Sequence, residues 1–147
     1  METVGFFKVY PDAVIPVKGT PESVGWDLFS NVDCTILPGT THVVSTGIGV
    51  VIPKKCYGRI APRSGWSLKS LIVNGGAIDP DYRNEMGIIL FNASKEPITI
   101  NKGYRVAQFI LERVSYQNMP EIRNPNISPS EAESSQKSHE GFGSTGL

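Results

Sequence analysis

The segment APRSGWSLK, residues 61–69, combines the groups that a phosphate chain needs. Arg63 supplies a fixed positive charge and Ser64 supplies a hydroxyl. Gly65 lets the backbone turn tightly where the next residues predict a short helix, and the amides at a helix start point outward as unpaired donors. The segment therefore indicates a phosphate site. The alternative is that Ser64 only caps the helix.

A second segment, residues 73–87, reads VNGGAIDPDYRNEMG and places two glycines ahead of a polar turn. The glycine pair at 75–76 allows another molecule to approach the backbone closely. Asp79 follows an apolar step, so we expect its carboxylate to be partly buried, where a charge needs a functional reason. A plain polar turn explains residues 80–81, but we assign chemistry to Asp79 and Tyr82.

Gln108 interrupts an apolar strand pattern, YRVAQFILERV, in register with Val106 and Ile110. An amide in an apolar row must be hydrogen-bonded, because an unsatisfied buried group costs about 1–3 kcal/mol. The pattern alone therefore favours a satisfied core glutamine. Asp27, between Trp26 and Leu28, is similarly ambiguous: the sequence fits either a simple turn residue or a residue of a functional site.

The chain ends in a polar segment that contains the run GFGSTG at residues 141–146. This run offers close backbone amides, two hydroxyls and one aromatic ring, but it lacks the spacing and the lysine of a Walker motif. From about Asn124 onward apolar residues are scarce, and such a composition predicts a flexible tail. The alternative is an ordinary frayed terminus.

The elements that must position these residues are predicted to be short strands. The run HVVSTGIGVVI has the period of two that is typical of a half-buried strand. Two apolar runs around ASKE predict a hairpin, NKG predicts a turn, and SGWSLKS predicts one short helix. We therefore expect an all-β sandwich, jelly roll or barrel over residues 1–123, followed by the tail over residues 124–147. The strand face in HVVSTGIGVVI comprises Val44, Thr46, Ile48, Val50 and Ile52.

Composition excludes several classes of function. The 147 residues carry 14 basic and 14 acidic side chains and no basic stripe, which argues against a nucleic-acid polymer as partner but not against a free nucleotide. Cys34 and Cys56 are far apart and form no CxxC pair, and His42 and His139 are too few for a metal cluster. The N-terminal residues match neither a signal nor a transit peptide, and no apolar run is long enough for a bilayer. We expect a soluble intracellular protein, cytoplasmic or nuclear.

Five segments together resemble, in order, the five motifs of the trimeric dUTP diphosphatases (dUTPases). They are GWDLFS, APRSGWSLK, NGGAIDPDYR, GYRVAQ and GFGSTG, which span residues 25–146. The resemblance implies a jelly-roll-like β-barrel with one short helix and a homotrimer with three active sites between subunits. It also implies Mg²⁺-dependent hydrolysis of dUTP to dUMP and pyrophosphate, which limits uracil incorporation into DNA and supplies dUMP for dTTP synthesis.

The resemblance further implies roles for individual residues. Asp79 would activate the water that attacks the α-phosphorus, and Tyr82 would lie against the deoxyribose and leave no room for a 2′-hydroxyl. Gly76 and Gly87 would present backbone groups to the uracil edge. The residues implied to hold the phosphates are Arg63, Ser64, Gly65 and Gln108.

The tail and the metal have implied roles as well. The tail would close over the nucleotide, with Phe142 covering the uracil. The triphosphate would hold most of the Mg²⁺, with Asp27 acting through water. The tail residues implied to meet the γ-phosphate are Lys137, Gly143, Ser144 and Thr145.

Four positions depart from the commonest family pattern. Trp26 and Trp66 replace a smaller aromatic residue and a leucine. Asn84 stands where glycine is usual, and asparagine tolerates a positive φ better than most residues. Lys137 stands where arginine is usual, which keeps the charge but loses the two-pronged hydrogen-bonding group.

Two alternatives stay open. A dCTP deaminase of the same superfamily would need an extra general base and a pocket for cytosine, and no residue of the sequence stands out for either. A dUTPase-like domain used only for protein interaction would not need all the expected catalytic positions to be filled, as they are here.

Overall fold

The computed structural model of the chain describes residues 3–128 and 130. Its contacts divide the chain into two units, the first ending at Ser115 and the second beginning at Tyr116. The division of the chain into a domain over 1–123 and a lid over 124–147 stays a prediction. No helix in the described ranges has the length and apolar character that crossing a bilayer requires.

Within residues 3–128 the first unit is built from strands and one short helix, as predicted. The helix, α1, spans Ser64–Leu68 and lies between two strands of different sheets. The strands are β1 Gly5–Lys8, β2 Gly25–Phe29, β3 Cys34–Ile36, β4 Thr41–Ser45, β5 Ile48–Val51, β6 Cys56–Ala61, β7 Leu71–Gly75, β8 Ala77–Ile78, β9 Gly87–Asn92, β10 Ile98–Ile100 and β11 Arg105–Arg113.

The described strands form four antiparallel sheets. Two of them are larger, with strand orders β2-β11-β6-β8 and β4-β9-β7, and two are pairs, β1-β5 and β10-β3. Among the described residues, strand pairing does not join these sheets into one closed barrel. Their apolar faces surround a shared core in which Leu28, Ile88 and Phe109 are fully buried.

The run HVVSTGIGVVI buries its predicted face, but it forms two strands rather than one. All five predicted side chains from Val44 to Ile52 are buried. Gly47 has a φ of +68°, which bends the chain between β4 and β5 and sends them to different sheets. A Cβ at Gly47 would come within 2.7 Å of the Ala13 Cβ, so this bend requires glycine on both grounds.

The predicted hairpin around ASKE was wrong. β9 pairs with β4 and β7, whereas β10 pairs with β3. The reason is the fully buried Asn92, whose Nδ2 donates to the carbonyls of Ile36 and Glu96, each at 2.8 Å, and whose Oδ1 accepts from the Ser94 amide at 2.9 Å. These bonds turn the chain away from β9 and towards β3.

A β-bulge in β11 decides which of its side chains face outward. Arg105 lies opposite Phe29 and Ala107 lies opposite Leu28, so Val106 is an extra residue in the ladder. Gln108 then lies opposite Asp27, on the face away from the buried Ala107. The predicted register of Gln108 with Val106 was therefore wrong: Val106 is in the core and Gln108 is half-buried on the outer face.

Candidate functional site

The segment after β6, residues 62–66, is held against β11 by three hydrogen bonds. Gln108 Nε2 donates to the Pro62 carbonyl at 2.9 Å. Arg63 Nη1 and Trp66 Nε1 both donate to the Arg105 carbonyl, at 3.0 and 2.8 Å. The predicted phosphate segment is thereby fixed on the strand that carries Gln108, which pairs with the strand that carries Asp27.

Asp27 is the acidic member of this cluster. Its Oδ2 accepts from Arg105 Nη1 at 3.1 Å, and its Oδ1 lies 3.5 Å from Arg63 Nε. The side chain of Asp27 is only 14% exposed, whereas those of Arg63 and Arg105 are 37% and 48% exposed, so both guanidinium groups stay open to solvent. One carboxylate between two guanidinium groups leaves a net positive charge, which suits an anion.

A depression of about 360 Å³ opens beside this cluster. It is lined by Arg63, Ser64, Gly65, Trp66, Lys69 and Gln108. The structure thus brings together the four residues predicted to hold phosphates. The alternative role of Ser64 as a helix cap was wrong, because the N-cap residue is Arg63 and no side chain caps the helix.

Two glycines shape this depression in different ways. A Cβ on Gly25 would come within 2.4 Å of Gln108 Oε1, so Gly25 makes room for the glutamine amide. A Cβ on Gly65 would meet nothing within 4 Å, and its φ lies outside the left-handed region. Contacts within the chain therefore do not require glycine at 65, whereas a close approach of a ligand to the backbone would.

Asp79 and Tyr82, of the second group of predicted residues, lie on the turn between β8 and β9, whereas Gly76 precedes β8 and Gly87 begins β9. The Tyr82 amide donates to the Asp79 carbonyl at 3.0 Å, and Arg83 Nη1 donates to the carbonyls of Pro80 and Tyr82 at 2.6 and 3.0 Å. Asp79 is exposed, so the prediction that it is partly buried was wrong. β8 ends at Ile78, and the turn that follows directs the Asp79 side chain to solvent.

The ring of Tyr82 is half-buried against the core, and its hydroxyl donates to the Glu85 carbonyl at 2.6 Å. The Gly76 carbonyl accepts a hydrogen bond from the Ile60 amide at 3.0 Å, and a Cβ on Gly76 would meet nothing within 4 Å. Gly87 differs, because a Cβ there would come within 2.6 Å of Val43 Cγ1. Packing thus explains Gly87, but open space is left beside Gly76.

Asp79 and the phosphate segment lie towards opposite ends of β6. Ile78 pairs with Gly58, and Ala77 pairs with Arg59, so the chain reaches Asp79 beyond the Gly58 level. The phosphate segment leaves the other end, after Ala61. Three residues of a strand span about 10 Å, before the chain leading to Asp79 and to Arg63 adds its own length.

Arg105 is a residue of the cluster that the sequence did not single out. Residues three apart in a regular strand face opposite ways, so Gln108 gave no reason to expect Arg105 beside it. The bulge at Val106 brings both to the face of Asp27. The only feature of the sequence that could have pointed to Arg105 is its position within the GYRVAQ segment.

Within residues 3–128 and 130, no three His, Cys, Asp or Glu side chains are grouped closely enough to hold a metal ion. Asp27 engages two of its several acceptor positions, so a water-mediated contact to a cation brought by a ligand remains compatible with the geometry. Five predicted tail residues lie outside the described residues: Lys137, Phe142, Gly143, Ser144 and Thr145.

Comparison with known proteins shows which family the chain resembles. The family model of the dUTPases matches residues 12–146. A variola virus protein named deoxyuridine 5′-triphosphate nucleotidohydrolase is 42% identical over 144 residues, covering 98% of this chain and 93% of that protein. A vaccinia virus (strain Copenhagen) protein of the same name has the same identity and coverage.

Solved structures support the fold. A mutant dUTPase from phage phi11 of S. aureus, described with a coordinated structural Mg(II) ion, superposes with a TM-score of 0.77. It is 22% identical and covers 86% of this chain and 100% of its own. This likeness confirms the predicted all-β, jelly-roll-like fold with one short helix.

Proposed function

The chain belongs to the dUTPase family, and we propose that it hydrolyses dUTP to dUMP and pyrophosphate. The observation that supports this most is the 42% identity, over 98% of the chain, to a protein named as a nucleotidohydrolase of deoxyuridine 5′-triphosphate. In this proposal the product dUMP serves dTTP synthesis, and removal of dUTP keeps uracil out of DNA.

The depression beside α1 is the proposed triphosphate site. Arg63 and Lys69 contribute positive charge, Ser64 a hydroxyl, and Gly65 an approachable backbone. The Gln108 amide already donates to Pro62, so its carbonyl oxygen or second amide hydrogen is left for a ligand or water. Arg105 and Asp27 hold Arg63 in place from the other side.

Asp79 is the proposed general base. It is exposed on the turn after β8, where a water molecule can reach its carboxylate. In the proposed step the water oxygen forms a bond to the α-phosphorus, and the bond to the bridging oxygen of the β-phosphate breaks. Pyrophosphate leaves in line with the attack, and Asp79 takes the proton of the water.

Substrate selection is assigned to Tyr82 on this turn, to Gly76 before β8 and to Gly87 at the start of β9. Tyr82 would lie against the deoxyribose and exclude a 2′-hydroxyl. Gly76 and Gly87 would offer backbone groups to the uracil edge, and the open space beside Gly76 is compatible with this. A wrong base would leave buried hydrogen-bonding groups mispaired, which discriminates more strongly than a missing methylene.

The proposed cofactor is Mg²⁺, carried mainly by the triphosphate, with Asp27 reaching it through water. Such an ion, when bound, would offset the negative charge of the phosphates. Mg²⁺ keeps several of its waters in most protein sites and needs no full set of protein ligands. In the same proposal the tail over residues 124–147 closes over the nucleotide, with Phe142 on the uracil and Lys137, Gly143, Ser144 and Thr145 at the γ-phosphate.

We propose a homotrimer whose sites lie between subunits. A general base must reach the reacting atom directly or through one water, within about 3 Å per hydrogen bond. The phosphate-binding residues must contact the neighbouring phosphates at the same moment. The placement of Asp79 and Arg63 towards opposite ends of β6 favours a site that takes them from two different subunits.

Substrate choice is the first expected outcome. Incubation with dUTP, dCTP, dTTP or UTP plus Mg²⁺ should release pyrophosphate rapidly from dUTP alone, because in this proposal Tyr82, Gly76 and Gly87 select deoxyuridine. The measurement is a pyrophosphate assay together with chromatography of the products. Comparable rates on UTP or dCTP would contradict the proposal. A deaminated product from dCTP would favour the deaminase alternative, and no turnover at all would favour the interaction module.

Subunit mixing tests the shared site. Asp79→Asn and Arg63→Ala subunits should each be nearly inactive, but their co-expressed mixture should recover about a quarter of the wild-type activity if each site draws on two neighbouring subunits at random. Sedimentation at micromolar concentration should show a trimer. A mixture that stays as inactive as its parents, or an active monomer, would overturn the shared site.

A further inference from the structure

Glu85 joins the turn that carries Asp79 and Tyr82 to the rest of the fold. Its Oε1 accepts a hydrogen bond from the Gly47 amide at 2.7 Å and another from the Ser45 hydroxyl. Its own backbone carbonyl accepts the Tyr82 hydroxyl at 2.6 Å. We propose that Glu85 is a positioning residue that fixes the Tyr82 ring and thereby sets the discrimination against ribonucleotides; this inference rests on the proposed function.

The partner of Glu85 is a part of the fold that has little freedom to move. Gly47 has a φ of +68°, and its carbonyl accepts the Val9 amide at 2.7 Å. Thr46 is buried, and its Oγ1 donates to the Met86 carbonyl at 2.6 Å. The Met86 amide in turn donates to the Ile48 carbonyl at 2.8 Å. Residues 85–86 are thus bonded to a rigid bend by side chain and backbone together.

The rest of the turn has weaker attachments. Asp79, Asp81, Arg83 and Asn84 are exposed, and the Arg83 hydrogen bonds stay within the turn. Tyr82 is half-buried, and its hydroxyl ends on the Glu85 carbonyl. A shift of Glu85 therefore moves the atom that holds the ring. The Asp79 carbonyl, bonded to the Tyr82 amide, moves with it.

The position of Tyr82 matters because the ring must occupy the space of a 2′-hydroxyl. A misplacement of about 1 Å can cost about a hundredfold in rate when geometry is demanding. If the Tyr82 ring were free to move away, hydrolysis of dUTP would slow and UTP could enter the site. Loss of the Glu85 side-chain contacts is therefore expected to lower the ratio of dUTP turnover to UTP turnover, and not only the total turnover.

The test compares Glu85→Ala with Glu85→Gln, Ser45→Ala and the control Glu96→Ala. Glu96 is exposed in the loop after β9, and its Ala variant keeps the backbone carbonyl that Asn92 uses. For Glu85→Ala we expect kcat/KM on dUTP to fall about 10- to 100-fold and the preference for dUTP over UTP to fall about tenfold. Glutamine keeps an acceptor oxygen and should restore most of the preference. Ser45→Ala should have an intermediate effect, and Glu96→Ala none.

Hydrogen exchange of the peptide covering residues 79–86 supplies a readout that does not depend on turnover. Exchange there should speed up in Glu85→Ala and return towards wild type in Glu85→Gln. Equal losses on dUTP and UTP, with an unchanged preference, would overturn the inference, and so would unchanged exchange. A wild-type protein that does not cleave dUTP would instead refute the proposed function, while the exchange result would still decide whether Glu85 holds the turn.

Discussion

Asp79→Asn is expected to lower the turnover of dUTP by roughly two to four orders of magnitude, the usual loss when a general base is removed. The amide has nearly the shape of the carboxylate but cannot take the proton of the attacking water. Asp79 is exposed and its side chain is not part of the core. The variant should therefore fold and melt like the wild type and bind the nucleotide nearly as well. Single-turnover kinetics and nucleotide titration measure the two effects separately.

Asp81→Asn is the matched control, because Asp81 is an exposed aspartate on the same turn. It should keep nearly full activity, since the proposal gives it no part in the reaction. A drop in Asp79→Asn that Asp81→Asn reproduces would reflect the charge of the turn rather than a base. Near-normal turnover of Asp79→Asn would place the base elsewhere in the protein.

Deletion of residues 138–147 is expected to abolish most of the activity while leaving the melting temperature nearly unchanged. The deleted run contains a single aromatic residue and few other apolar groups, so its loss removes little apolar burial. Closure of a lid excludes water and completes the phosphate contacts, so its absence should act on turnover. The measurement pairs a dUTP hydrolysis assay with a thermal melt of the same preparation.

Single substitutions in the tail separate the contributions of individual side chains to the activity that the deletion removes. Phe142→Ala removes the stacking face but keeps the backbone amides, so it should cost less than the deletion. Lys137→Arg should preserve or raise activity, because arginine supplies two parallel hydrogen bonds to a phosphate. A deletion variant that stays fully active, or one that unfolds the strand domain, would show that residues 138–147 are not a lid.

Local patterns in the sequence predicted the architecture well, because alternation and turn residues act over a few positions. The buried face from Val44 to Ile52, the short helix after Arg63 and the turn before Tyr104 all follow such patterns. The strand partners could not be predicted in this way. β9 and β10 adjoin in sequence, yet the side chain of the buried Asn92 bonds to the Ile36 carbonyl, 56 residues away.

The candidate site shows the same division. The residue types of the phosphate cluster were recognised from their motifs, and the structure brings Arg63, Ser64, Gly65 and Gln108 together. The roles of Arg105 and Glu85 depend on contacts between distant strands, which no local pattern contains. The exposure of Asp79 was missed because β8 ends one residue before it.

The bulge at Val106 affects where β11 can lose a residue without a change in its strand register. In a regular strand, losing one residue turns every later side chain to the opposite face. Between Arg105 and Gln108 the loss of one residue would instead remove the bulge, because β11 there contains one residue more than β2. Loss of either intervening residue would leave Arg105 opposite Phe29 and Gln108 opposite Asp27. The same loss from Phe109 onward would exchange the core and solvent faces of all that follows, so within β11 the bulge is the place where the strand register survives the loss of a residue.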